Sequence, residues 1–350
     1  MDALRSISSE TIQNHANNSI HSDNIEQVLR GSSVLAGGGG GSFQEALQTY
    51  LSLNIEEVEV RHLENFSDDA VIATVFGLGP ANHETTDPLE IAESSFEAYE
   101  SRYEDVDGII LGEIGPDLIV EAVAIASQLN IPVVDADVAG MRAVPSIQNE
   151  IIEESQISRT PVIATNGEDT VFIEGNDGER LEAEIRQLTD GDIWYVTGYA
   201  SSPREYEEAA VEGWFEETLR FEHAHIRRIG QGALESVESE HLEGHTVGRM
   251  IIQGESTIEI YFQNENLLAY VDGEQVAAAP DTISVIDENG NGVNNGNIPE
   301  VGEQLEVYCF SYDFWNDADC FNLETQQIET EAQTFTFQDQ LEFDIRGDLE

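Results

Sequence analysis

The sequence predicts an α/β N-terminal domain over residues 1–160, with three layers and a mainly parallel sheet, followed by a β-rich domain over residues 161–350. Up to about residue 145, short apolar runs alternate with segments of helical periodicity, which is the pattern of a sheet covered by helices. From Val247 onward, short strands recur roughly every ten residues, which is typical of a barrel or a sandwich. The change of pattern near residue 160 places the boundary.

The charge of the chain is extreme. It contains 70 Asp and Glu residues but only 14 cationic residues, all of them Arg, which gives a net charge of −56. The hydrophobic fraction of 40% is nevertheless large enough to build a core, so we interpret the chain as folded and halophilic, from the cytoplasm of a salt-accumulating microbe such as a haloarchaeon. Because a basic footprint is missing, the composition argues against nucleic acid and anionic membrane as partners.

Residues Met1 to Ser6 lack an apolar segment, and no run of about 18 apolar residues would cross a membrane. We therefore expect a cytoplasmic protein that takes a small-molecule substrate, and a homo-oligomer stays open. Cys309 and Cys320 could form one disulfide, although isolated thiols in a cytosolic chain more often stay reduced.

A glycine run separates the first two predicted helices, 24–35 and 43–51. Ser42 and Glu45 have the spacing of a capping box, so the glycines end at a helix N-terminus. Exposed amides at this position hold carboxylates or phosphates, and a tight structural turn is the alternative. The predicted substrate-binding residues of this loop are Gly38, Gly39, Gly40, Gly41 and Ser42.

Acids follow the ends of predicted strands. Strands are predicted at 58–61, 70–76, 107–113 and 133–137, with helices at 88–103 and 117–129. If the sheet is parallel, Glu113, Asp135 and Asp137 meet at one rim, where carboxylates either raise one another's pKa or recruit a cation. Arg142 adds a guanidinium to the same loop, and the alternative is a capped strand end with a structural Asp–Arg pair.

The second half of the chain is predicted to contain strands at 161–165, 169–174 and 193–197, a helix at 180–188, and a long acidic helix at about 203–228. His83 and Glu84 follow a glycine-rich strand exit and are acid/base or ligand candidates, although a histidine in a solvated loop more often has no special role.

Several motifs together resemble the DUF917 family, which is associated with S-methyl thiohydantoin desulfurase. They recur in the family's order from about residue 25 to 315, and they are Gly37–Gly41, Gly112-Glu113-Ile114-Gly115, Asp135-Ala136-Asp137 with Gly140, Arg142 and Pro145, Phe262-Gln263-Asn264-Glu265-Asn266-Leu267, and Ala279-Pro280-Asp281-Thr282-Ile283. The resemblance implies an α/β N-terminal domain and a barrel-like C-terminal domain. It also implies hydrolysis of an S-methylated thiohydantoin ring to a hydantoin, with release of methanethiol.

We assign roles on this hypothesis. The predicted catalytic residues are Asp135, Asp137, Glu113 and Arg142, with water activated directly or through a divalent metal, Zn or Mg, held by Asp135, Asp137 and Glu113. Asn264, Glu265 and Asp281 would bind the ring from the second domain. The alternative is a non-catalytic binding or regulatory protein that holds a small anionic metabolite in the same cleft.

Overall fold

The computed structural model describes residues 18–81, 88–103, 105–147, 150–175, 178–189, 193–242 and 244–316, and it contains two sheets. The predicted α/β first domain and β-rich second domain are both confirmed. No helix in the described ranges is long and apolar enough to cross a membrane.

The first sheet combines parallel and antiparallel strands. Its strands are β1 Ser19–His21, β2 Glu57–Arg61, β3 Ile72–Leu78, β4 Gly108–Leu111, β5 Val133–Asp137, β6 Val162–Thr165, β7 Thr170–Ile173, β8 Trp194–Ser201 and β9 Val211–Glu212. They pair in the order β1-β2-β5-β4-β3-β8-β6-β7, and β9 adds to β5. Strands β2, β5, β4 and β3 are mutually parallel, so their carboxyl ends lie along one edge.

Helices cover both faces of this sheet. The helices of the described chain are α1 Ile25–Leu35, α2 Phe43–Ser52, α3 Pro88–Arg102, α4 Pro116–Leu129, α5 Gly178–Arg186, α6 Pro203–Tyr206 and α7 Trp214–Arg220, with single 3₁₀ turns at Leu63–Asn65, Ile151–Glu154 and Asp313–Asn316.

The core of the first domain consists of two apolar clusters, one on each face of the sheet. Ile109 and Leu111 pack with helices α1 to α4 in one apolar cluster, whereas Ile110 packs with Leu181, Ile185 and other residues in the second. Successive strand residues point to opposite faces, so each parallel strand is apolar throughout. The result is the predicted three-layer arrangement.

The second sheet is antiparallel. Its strands are β10 His225–Leu242, β11 His245–Gly254, β12 Thr257–Gln263, β13 Glu265–Val271, β14 Glu274–Ala278, β15 Thr282–Ile286 and β16 Gln304–Ser311, in the order β14-β13-β12-β11-β10-β16-β15. The sheet curls so that β15, at one edge, lies beside β13 and β14 at the other. This half-barrel is the barrel-like domain that the resemblance implied.

The predicted long helix at 203–228 is wrong. Helix α6 ends at Tyr206, a short strand follows, and α7 covers only seven residues before the chain enters β10. Gly213 (φ 98°) caps the start of α7 and Phe221 (φ 50°) caps its end, both with left-handed backbone. These two residues end the helix within a sequence whose acid-rich periodicity predicted a longer one. The strands between residues 162 and 212 pair in the first sheet, and the change to the second sheet falls between Glu212 and His225.

Candidate active site

A pocket with a volume of about 100 Å³ lies between the two sheets and opens to solvent. The first domain contributes the glycine loop before α2, the segments that follow β3 and β4, and one face of α4. The second domain contributes Asn264 and Glu265, at the turn between β12 and β13, and Asn294. Parallel strands end at this edge of the first sheet, which is where open α/β sheets bind their ligands.

The glycine loop forms one wall and joins the domains. The backbone N–H of Asn266 donates to the carbonyl oxygen of Gly37 at 2.7 Å, and the backbone N–H of Asn295 donates to that of Gly38 at 2.8 Å. A Cβ on Gly40 would lie 2.6 Å from Cα of Gly115, so the loop passes the start of α4 at a distance that only glycines allow. Gly39, Gly40 and Gly41 line the pocket, whereas Gly38 does not.

The predicted capping box is wrong. The side chain of Ser42 makes no capping hydrogen bond at the start of α2. Its backbone N–H donates instead to the carboxyl of Asp117, whose pKa burial raises to about 7 with a contribution from the nearby charge of Glu45. The helix N-terminus that we expected to hold a ligand anion thus contacts a carboxyl of the chain itself.

Glu113 lines the pocket in the segment that follows β4. Its Oε2 accepts a hydrogen bond from the backbone N–H of Val144 at 2.9 Å. Burial raises the pKa of Glu113 to about 7, repulsion from Asp137 adds to that rise, and Arg142 opposes it. A carboxyl with a pKa near neutrality both accepts and returns protons at working pH.

The second domain places two predicted residues in the pocket. Asn264 bridges the domains, because its Oδ1 accepts from the N–H of Thr246 at 2.8 Å and its Nδ2 donates to the carbonyl of Gly79 at 3.2 Å. Glu265 is buried, and this burial, followed by repulsion from Glu113, raises its pKa well above the ordinary value. The carboxyls of Glu113 and Glu265 therefore share an environment in which they do not both ionise readily.

Three further acids and a tyrosine line the pocket, and they were not predicted from the sequence. Asp117 and Glu121 stand one turn apart on α4, Glu150 follows the loop after β5, and the hydroxyl of Tyr195 donates to Glu121 at 2.7 Å. Burial raises the pKa of Glu150 to about 8. One signal was present in the sequence: Asp117 and Glu121 are the two acids of an otherwise apolar helix segment.

Arg186 also lines the pocket, but its guanidinium is held by the protein. Nε donates to Glu182 at 2.6 Å, and Nη1 and Nη2 donate to the carbonyls of Gly244 and Pro145 at 3.2 and 2.7 Å. The pocket therefore has more acidic than basic side chains along its walls.

Asp137 and Arg142 lie near Glu113 but do not line this pocket. The Asp137 carboxyl accepts from the backbone N–H groups of Ala139, Gly140 and Met141, so it shapes the turn after β5. Burial nevertheless raises its pKa to about 7. Arg142 is buried near the ring of Trp315 and favours the ionised forms of Glu113, Asp137 and Glu265.

Asp135 is turned toward another part of the protein. Its Oδ1 accepts from the N–H of Phe215 at 3.0 Å, and its Oδ2 lies 3.5 Å from Nδ1 of His62. Glu212 approaches the same imidazole nitrogen at 3.3 Å. Asp135 does not line the pocket, and no sequence motif marked His62.

The predicted metal ligands Asp135, Asp137 and Glu113 are not grouped as a metal site. Within the described residues, no three His, Cys, Asp or Glu side chains are arranged to hold an ion. Asp281 lies in a smaller neighbouring pocket and accepts from the Cys309 thiol at 3.3 Å. The other residues singled out from the sequence, His83, Glu84 and Cys320, lie outside the described residues.

Comparisons with known proteins agree with this two-domain arrangement. The family model described as S-Me-THD-like, N-terminal domain, matches residues 23–175, and the model described as S-Me-THD-like, C-terminal domain, matches residues 191–316. Both domains that form the pocket are thus covered. None of the curated proteins compared with the chain matches it.

A solved structure shares the fold. It is an X-ray crystal structure of a protein from Chromobacterium violaceum, determined by a structural genomics consortium. The two chains are 20% identical, the alignment covers 89% of this chain and 96% of the other, and the TM-score is 0.72. At this identity the likeness shows the fold alone.

Proposed function

The chain belongs to the S-Me-THD-like family, and from this premise we propose that it hydrolyses a hydantoin-type ring, replacing an S-methyl group on the ring carbon by oxygen and releasing methanethiol. One observation carries the proposal. The pocket that both family domains build is lined by buried carboxyls whose pKa values lie near or above neutrality.

Such carboxyls suit an uncharged ring with alternating N–H and C=O groups. A neutral carboxyl both donates and accepts a hydrogen bond, whereas an ionised one only accepts. Burial keeps Glu113 and Glu265 partly or wholly neutral, and a proton is available to move between substrate and protein. Arg186 is the basic side chain among the described lining residues, and its guanidinium already donates to other groups of the chain, which disfavours the alternative, a site for small anions.

In the proposed reaction, ionised Glu113 takes a proton from water as the water oxygen attacks the ring carbon that bears sulfur. Neutral Glu265 gives its proton to the adjacent ring nitrogen as the C=N double bond becomes single. Glu113 then returns its proton to sulfur and the C–S bond breaks. The new hydroxyl group loses its proton to Glu265 and becomes the ring carbonyl, so both glutamates end as they began.

A product assay tests this function. The purified chain is incubated in molar KCl with an S-methyl thiohydantoin, and methanethiol and hydantoin are both quantified. We expect the two products in equal amounts and in proportion to protein. A folded protein that forms neither product above the rate without protein would refute the proposal.

A further inference from the structure

Glu121, which lines the pocket, has one carboxyl oxygen paired and one unpaired. Its Oε1 accepts from the Tyr195 hydroxyl at 2.7 Å, while its Oε2 is fully buried and has no hydrogen-bond partner among the described residues. Glu121 is only 3% exposed and lines the pocket wall. Because buried polar atoms in native proteins are nearly always paired, an unpaired one at a pocket wall points to a ligand.

The protonation state of Glu121 follows from its surroundings. Burial raises its pKa well above the ordinary value, and the charges of Asp117 and Glu113 raise it further, against the opposing hydrogen bond from Tyr195. The hydroxyl of Tyr195 donates to Oε1, so Oε1 acts as the carbonyl-like acceptor. The acid proton of the neutral carboxyl is therefore placed on Oε2, the unpaired oxygen.

We propose that Oε2 of Glu121 donates a hydrogen bond to a carbonyl oxygen of the ring bound in this pocket, and that Tyr195 holds the carboxyl in the orientation this requires. The inference deepens the proposed function, because it rests on the same pocket and names the group that recognises the ring carbonyl remote from the sulfur. The ligand class is an uncharged cyclic amide or ureide. An anionic ring oxygen would need a cation, and the guanidinium of Arg186, the basic group of the described lining, already donates to other groups of the chain.

Hydantoin itself is the probe, and isothermal titration calorimetry in molar KCl at neutral pH measures its affinity for the full chain. Glu121→Gln keeps a donor, because the amide oxygen accepts from Tyr195 while its NH₂ group faces the ligand. We expect its Kd for hydantoin to stay within about threefold of wild type.

The double variant E121L/Y195F removes the donor together with its partner, which avoids leaving the tyrosine hydroxyl unpaired. We expect its Kd to rise at least about tenfold, the value of one lost hydrogen bond.

The matched control is Glu217→Gln. Glu217 is equally buried, but its oxygens accept from the N–H groups of His223 and Ala224, and it does not line the pocket. Hydantoin affinity should be unchanged in this variant whatever its stability, and circular dichroism confirms that each variant is folded.

Three results would overturn the inference: an E121L/Y195F double variant that binds like wild type, a folded E121Q variant whose affinity falls as far as that of the double variant, or a folded wild type that does not bind hydantoin. The outcome is separate from that of the proposed function. If hydantoin binding depends on Glu121 but no methanethiol is released, the role of Glu121 stands and the proposed hydrolysis is refuted. If methanethiol is released at a rate that E121L/Y195F does not change, the hydrolysis stands and the role of Glu121 is refuted.

Discussion

Oε1 of Glu265 occupies the space in which a Cβ of Gly39 would stand, since such an atom would lie only 1.9 Å from it. One residue belongs to the glycine loop of the first domain and the other to β13 of the second. The missing side chain at Gly39 is therefore what allows a buried carboxyl to enter the pocket across the domain boundary.

Substitution of Gly39 by Ala should destabilise the protein by about 1–3 kcal/mol, because the new methyl group overpacks this contact. Glu265→Ala removes all three atoms that the methyl group would meet, so the double variant G39A/E265A should be less destabilised than the sum of the single variants. Urea unfolding in molar KCl measures each free energy. Strict additivity would show that the two residues do not collide.

The net charge of −56 predicts that the fold depends on salt. Screening shortens the reach of like-charge repulsion from about 10 Å at 0.1 M salt to about 3 Å at 1 M. We expect cooperative thermal unfolding in molar KCl and a large loss of structure at about one tenth of that concentration. A neutral osmolyte such as betaine, which does not screen charge, is the control. A melting temperature that does not change with KCl would contradict the halophilic interpretation.

Stability should fall as pH rises through neutrality. Burial raises the pKa values of Glu113, Asp117 and Asp137 to about 7 and that of Glu150 to about 8, above those of an unfolded chain. The folded state then holds more protons than the unfolded state between about pH 4 and pH 8. In that range the unfolding free energy falls as pH rises, by about 1.4 kcal/mol per pH unit for each proton that the folded state holds in excess.

Urea unfolding at several pH values in molar KCl measures this slope. Asp117→Asn removes one of the titrating groups, so its slope should be shallower than that of wild type. A wild-type protein that becomes more stable between about pH 5 and pH 8 would show that these carboxyls are ionised in the fold.

Asp135→Asn should leave turnover within about threefold of wild type, since this side chain faces His62 and Phe215 and not the pocket. This departs from the expectation from the sequence, which placed Asp135 among the catalytic residues. Steady-state methanethiol release decides between the two. A loss of about a hundredfold in a folded D135N variant would return Asp135 to the mechanism.

The sequence predicted Glu113 and Glu265 in the site because strand exits and the motif around the β12–β13 turn are local features. It could not predict on which side Asp135 would lie. The pairing of β5 with β4 shifts register between Ile109 and Leu111, so strand alternation alone does not fix the direction of either aspartate.

Other parts of the site depend on contacts that are distant in the chain. Glu150 and Arg186 reach the pocket through tertiary packing, and no local pattern marks them. The acids of α4 were visible as two charges in an apolar helix, but the helix was interpreted only as a layer of the fold. The error at residues 203–228 has a local cause, because left-handed backbone at Gly213 and Phe221 ends what periodicity alone would continue.

The most direct test of the account compares Glu113→Gln with wild type in the methanethiol assay across pH. Wild-type kcat/KM should rise with pH through about 7, because the ionised form of Glu113 is the base. The folded E113Q variant should lose at least about a hundredfold in kcat and no longer show that rise. Wild-type turnover in E113Q, or a pH profile that the substitution leaves unchanged, would contradict the claim that Glu113 activates water in this pocket.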